Sequence, residues 1–114
     1  MDKKYAAQEA ITHSMMGSLG LKLIEEKGGF IRARMPVNDN TSQPFGVLCG
    51  GASLAFAEII AGYGSYLCCP EGFIPVGSSV SGNHVSSVRK APDVLVYAEA
   101  TALHLGRTTH LWNV

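Results

Sequence analysis

The sequence has no excess of charge of either sign: nine Lys and Arg balance nine Asp and Glu, for a formal net charge of zero. A balanced chain lacks the broad electrostatic grip that nucleic acid or an anionic membrane requires. Arg89, Lys90 and Arg107 could at most form one local basic patch. Cysteine is scarce. The three residues Cys49, Cys68 and Cys69 are odd in number and two are adjacent, a poor disulfide framework. No Cys-x-x-Cys or His-x-x-x-His spacing occurs, so neither a metal site nor a cofactor is implied. The start, Met1-Asp2-Lys3-Lys4, leads into polar and small residues rather than an apolar run, so no signal peptide is expected. The longest apolar stretch, 52–69, is interrupted by Glu58 and several glycines and reads as a buried helix, not a membrane span. These absences leave a reducing, cytoplasmic setting as the expectation.

What is present fits one α+β domain. With 114 residues there is room for a single core and no spare linker, so residues 1–114 are read as one domain. Residues 5–16 have good helix formers and a loose apolar periodicity, ending before Gly17. Residues 21–27 have some helix propensity, but Gly28-Gly29 follows at once. Beyond it Ile31, Ala33, Met35 and Val37 alternate with Arg32, Arg34 and Pro36, the period of a half-buried strand. A hairpin turning at the two glycines is the natural reading. Residues 38–44 have turn chemistry. One long apolar helix is expected over 50–67, then three strands over 74–85, 94–103 and 107–114. The result is an antiparallel sheet on a central helix. A helix apolar nearly all round needs cover on more than one side, so self-association is expected.

Glu58 is the only formal charge within that helix. A carboxylate among apolar residues either reaches the surface on a solvent-facing stripe or is held in a dry cleft, where it can act as nucleophile or general base. Both readings stand on local sequence alone. Gly50-Gly51 opens the same helix, and unobstructed N–H groups at a helix start can polarise a carbonyl oxygen. A permissive turn is the plainer alternative. Gly50 and Glu58 are eight residues apart, roughly 12 Å along the axis at about 1.5 Å per residue. They cannot both touch one carbonyl within one subunit, so joint action requires helix ends from two subunits. Gln43 could bind a carbonyl oxygen or a water. His84 and His104 lie near expected strand ends, and Arg89, Lys90 and Arg107 suit a phosphate-rich ligand. Cys49, at the helix start, is a weaker candidate for lowered thiol pKa.

Taken together, Gln43-Pro44-Phe45-Gly46-Val47-Leu48-Cys49-Gly50-Gly51-Ala52-Ser53 followed by Ala57-Glu58 resembles the signature of hotdog-fold acyl-CoA thioesterases. The branch is that of hydroxybenzoyl-CoA, dihydroxynaphthoyl-CoA and enterobactin-pathway proofreading thioesterases. Val76-Gly77, the run 81–87 and Leu103-His104-Leu105-Gly106-Arg107 resemble later blocks of it. The resemblance spans about residues 20–114. It implies that Glu58 attacks the thioester or activates water, that the Gly50 N–H polarises the carbonyl, and that Gln43 orients carbonyl or water. It also implies that Cys49, Gly51, His84, Ser86, Arg89, Lys90, His104, Gly106 and Arg107 contact the substrate, the later ones holding the CoA nucleotide. A homodimer or homotetramer with sites between subunits is implied as well.

Three departures accompany it. Cys49 stands where the family usually has His, and Gly62, one turn past Glu58, where this branch commonly has Ser or Thr. The chain also ends at Trp112-Asn113-Val114, inside what should be the penultimate strand, so the family's final strand is expected to be missing. Two other readings stay open. One is a hotdog dehydratase, disfavoured because no His lies in the helix; the other is a catalytically impaired oligomeric or CoA-binding remnant.

Overall fold

A computed structural model describes residues 8–114 of the chain. Two short helices, α1 (Gln8–Thr12) and α2 (Met15–Ser18), lead into strands β1 (Lys22–Lys27) and β2 (Phe30–Pro36), then the long helix α3 (Gly50–Cys68) and strands β3 (Leu95–Leu105) and β4 (His110–Asn113). The strands form one antiparallel sheet in the order β1-β2-β3-β4. This is the expected α+β arrangement.

The helix expected over 5–16 is instead broken. Ser14 caps α2, its Oγ accepting from the Met16 N–H and donating to the Ile11 carbonyl, so the chain turns between α1 and α2. Residues 5–7 of that expectation lie outside the described residues. The hairpin forms as read. Gly29 sits at φ 84, a left-handed conformation that glycine takes without a Cβ penalty, and residues 31, 33 and 35 turn inward. Ile31, Ala33 and Met35 are all but fully buried, while Arg32 and Arg34 point to solvent. The polar loop after β2 is locked by the buried Thr41, whose Oγ1 donates to the Pro36 carbonyl at 2.7 Å and accepts from the Asn38 N–H at 3.0 Å.

Helix α3 lies on this inner face and buries Phe56, Ile60, Tyr63, Gly64 and Ser65. Small residues permit the approach: Ala33 and Ala100 have no exposed surface, and a β-carbon on Gly64 would stand 2.9 Å from Trp112 Cζ2 and 3.2 Å from Ile31 Cγ1. Ser65 Oγ accepts from Trp112 Nε1 at 2.8 Å and lies 2.8 Å from His110 Nδ1, tying β4 to the helix. Among the described residues, no helix is long and apolar enough to cross a membrane.

One expected strand is not formed. Among the described residues, 74–85 join no ladder, and no backbone–backbone hydrogen bond involves residues 74–87. The β-branched pattern there signals an extended chain, but a strand also needs a neighbour to pair with. This segment instead crosses the exposed side of α3, leaving Ile74, Val76 and Val85 at 77%, 84% and 94% exposure.

Candidate active site

The stripe of α3 facing this crossing segment is Gly50, Leu54 and Glu58, spaced by four residues and therefore aligned along one helix face. Each meets the segment. A β-carbon on Gly50 would lie 2.9 Å from His84 Nε2 and 3.1 Å from its Cδ2, so the imidazole rests against the helix start. A β-carbon on Gly82 would lie 3.2 Å from Leu54 Cδ2. A β-carbon on Gly77 would overlap Glu58 Oε1 and stand 3.1 Å from the carboxylate carbon. Two glycines, one on each element, thus leave room for a titratable side chain of the other, Gly50 for His84 and Gly77 for Glu58.

The helix start is held from the other side by residues 41–49. Cys49 is the N-cap in extended conformation and gives no side-chain cap hydrogen bond; its own N–H donates to the Thr41 carbonyl at 2.9 Å. Leu48 N–H donates to the Val88 carbonyl at 2.8 Å, and Lys90 N–H to the Gly46 carbonyl at 2.9 Å. With the bridge between Val47 and Arg89, these bonds bring the Gln43 loop, the start of α3 and residues 84–90 into one region. Among the described residues no hydrogen-bond partner takes the Gly50 or Gly51 N–H groups, as geometry dictates for the first turn of a helix. Gln43 sits in a tight turn, its Oε1 accepting from the Phe45 N–H at 3.3 Å. With the amide oxygen so engaged, its NH₂ is the group left to donate.

Glu58 is exposed in the single chain, and its carboxylate has no hydrogen bond or ion pair among the described residues. This is the solvent-reaching stripe and not an enclosed cleft within one subunit. Beside it, Gly62 faces open space, with nothing within 4 Å of where a β-carbon would be. Gly51 is exposed on the first turn, and Ser86 and Arg89 are exposed on the crossing segment. Lys90 Nζ is paired with Asp39 Oδ1 at 2.8 Å, and the ammonium holds the Asp39 carboxyl below its ordinary range through that hydrogen bond and by charge attraction. The pair walls an open cleft of about 580 Å³ formed by Val37, Asn38, Asp39, Asn40, Lys90, Ala91 and Pro92.

The second expected nucleotide-holding group is elsewhere. His104 packs its ring against Gly106, whose N–H donates to the Thr109 carbonyl in the β3–β4 turn, with exposed Arg107 beside it. That turn and Lys90 flank opposite ends of the eleven-residue β3, a separation on the order of 30 Å at about 3.3 Å per residue. One subunit does not bring them together. The contacts of Gly77 with Glu58 and of Ser65 with His110 and Trp112 were not foreseen. Their only sequence signals were a glycine beside Val76 and a serine in the second half of an apolar helix.

Residues 45–114 match the profile of the thioesterase superfamily. A proofreading thioesterase, EntH, of Klebsiella pneumoniae is 35% identical over 102 residues, which cover 90% of this chain and 72% of its own length. The 1,4-dihydroxy-2-naphthoyl-CoA hydrolase of Escherichia coli is 36% identical over 101 residues, 89% of this chain and 72% of the relative. The crystal structure of a thioesterase from Haemophilus influenzae aligns with a TM-score of 0.82 and 38% identity, covering 91% of this chain and 71% of that one. The long helix lying on an antiparallel sheet is accordingly the hotdog arrangement. The chain belongs to the thioesterase superfamily.

Proposed function

We propose that this thioester hydrolase acts on acyl-CoA carrying an aromatic or medium-size acyl group, with Glu58 as nucleophile or general base. The observation that carries the reading is the α3 stripe, on which an unpaired carboxylate and an open helix start face the same crossing segment. The Gly50 N–H, at the positive end of the helix, polarises the thioester carbonyl and stabilises the oxyanion. The Gln43 NH₂ donates to the same oxygen or to the attacking water. Glu58 either adds to the carbonyl carbon, giving an anhydride that water cleaves, or removes a proton from that water as it attacks. In both routes the C–S bond breaks, coenzyme A leaves as the thiol and the acid is released. The relative named a dihydroxynaphthoyl-CoA hydrolase supports an aromatic acyl group.

The rise of roughly 12 Å between Gly50 and Glu58 supports a site completed by two subunits, in a homodimer or homotetramer. The distance between Lys90 and the His104–Arg107 turn supports the same assembly, since a neighbouring subunit would deliver that turn to a nucleotide held by His84, Ser86, Arg89 and Lys90. Exposed apolar residues of the crossing segment, Phe73, Ile74, Val76 and Val85 among them, supply surface for the contact. Three free cysteines suit a reducing, cytoplasmic setting. The test is a panel of aromatic and medium-chain acyl-CoA thioesters, with thiol release followed for the chain and for Glu58→Ala. Turnover confined to the unsubstituted chain supports the proposal; equal turnover by both refutes it.

A further inference from the structure

The carboxylate of Glu58 occupies space that exists only because residue 77 has no side chain. Gly77 lies on the crossing segment, and a β-carbon there would overlap Glu58 Oε1 while standing 3.1 Å from its Cδ and 3.6 Å from its Cγ. Backbone strain does not explain this glycine. Gly20, Gly29, Gly46 and Gly72 hold positive φ, and Gly77 is not among them, so an L side chain is compatible with its backbone. Nor does backbone pairing require it, since among the described residues no backbone–backbone hydrogen bond involves residues 74–87. What remains is the contact itself.

We infer that Gly77 is a positioning residue for Glu58: its bare α-carbon forms the slot that fixes where the carboxylate stands on the α3 stripe. The inference rests on the reading of Glu58 as the working carboxylate. The atom displaced by a side chain at 77 would be the far end of a flexible Glu, free to swing toward solvent. The fold therefore loses little when the slot is filled. The chemistry loses more, because a displacement near 1 Å of a reacting group is enough to cost on the order of a hundredfold in rate. The slot is one of three contacts along the same stripe. His84 against Gly50 and Leu54 against Gly82 both lie on the helix-start side of the slot and hold the segment on the stripe there.

The experiment measures kcat, KM and thermal midpoint with benzoyl-CoA as the probe for four proteins besides the natural chain: Gly77→Ala, Glu58→Asp, the double variant Gly77→Ala/Glu58→Asp, and Glu58→Ala. The expected result is a fall in kcat of about tenfold to a hundredfold for Gly77→Ala, with KM and the midpoint nearly unchanged. Aspartate is one methylene shorter and withdraws from the slot. Adding Gly77→Ala to Glu58→Asp is therefore expected to lower kcat less than twofold further. Two results overturn the inference while leaving Glu58 in its role. One is Gly77→Ala within twofold of the natural chain while Glu58→Ala is inactive; the other is an equal loss from Gly77→Ala in both backgrounds. Full activity in Glu58→Ala removes the functional reading itself, and the inference falls with it.

Discussion

Ser65→Ala deletes one oxygen from the contact between α3 and β4, and the structure sets the size of the effect. Ser65 is 5% exposed and its Oγ serves two ring nitrogens, Trp112 Nε1 and His110 Nδ1, each at 2.8 Å. Removing it leaves the indole N–H, which can only donate, facing the helix without an acceptor. A buried donor stripped of its partner costs about 1–3 kcal/mol. Both rings are half-buried, so water recovers part of the loss, and the two contacts together are expected to cost about 2–3 kcal/mol. For a domain of this length that corresponds to a drop of roughly 8–12 °C in midpoint, taking about 4 °C per kcal/mol. Trp112 is the only tryptophan, so its emission reports directly on the site during urea unfolding. Circular dichroism then allows a double-mutant cycle with Trp112→Phe, in which a coupling near 1 kcal/mol is expected. A loss below about 0.5 kcal/mol for Ser65→Ala, with no coupling, would refute the view that this hydroxyl fastens β4 to the helix.

Ile60 has no exposed surface and belongs to the main core cluster. Ile60→Ala is expected to cost about 2–5 kcal/mol in urea denaturation, at the upper end if the cavity fails to collapse. Gly64→Ala should destabilise by about 1–3 kcal/mol through overpacking, because its β-carbon would press on the Trp112 ring and Ile31; a shift in Trp112 emission accompanies it. Asp39 is a carboxyl whose folded pKa is depressed by Lys90, so its contribution is present above the ordinary carboxylate range and is lost as pH falls through the depressed value. In low salt Asp39→Asn is expected to flatten the acid limb of a midpoint-against-pH curve slightly. Added salt should erase the difference, because the pair is solvent-exposed.

The parts of this fold that follow from local pattern were legible in the sequence. The alternation Ile31, Ala33, Met35 against Arg32 and Arg34 marks β2, and the long, mostly apolar run after Gly50-Gly51 marks α3 to within a residue of its end. Residues 74–85 were misread because β-propensity reports a fit to a pleated neighbour, and the neighbour here is a helix stripe. The N-terminal helix was overextended because the side chain of Ser14 competes for backbone groups and starts a new helix. At the site, Glu58 and Gly50 stood out as a charge and a bare helix start in an apolar run. That Gly77 meets Glu58 and His84 meets Gly50 was not legible, because no periodicity encodes how a crossing segment folds back on a helix. Lys90 and Arg107 were grouped as one basic patch, yet β3 holds them at opposite ends of the sheet.

The central claim is that the carboxylate of Glu58 does the chemistry, and Glu58→Gln tests it most directly because the amide keeps the shape and removes the negative charge. Steady-state hydrolysis of an aromatic acyl-CoA by the natural chain and by this variant is the measurement. A fall in kcat of at least about a thousandfold, with KM within a few-fold, is the outcome expected for a group acting in the transition state. A fall in kcat of less than tenfold would contradict the account.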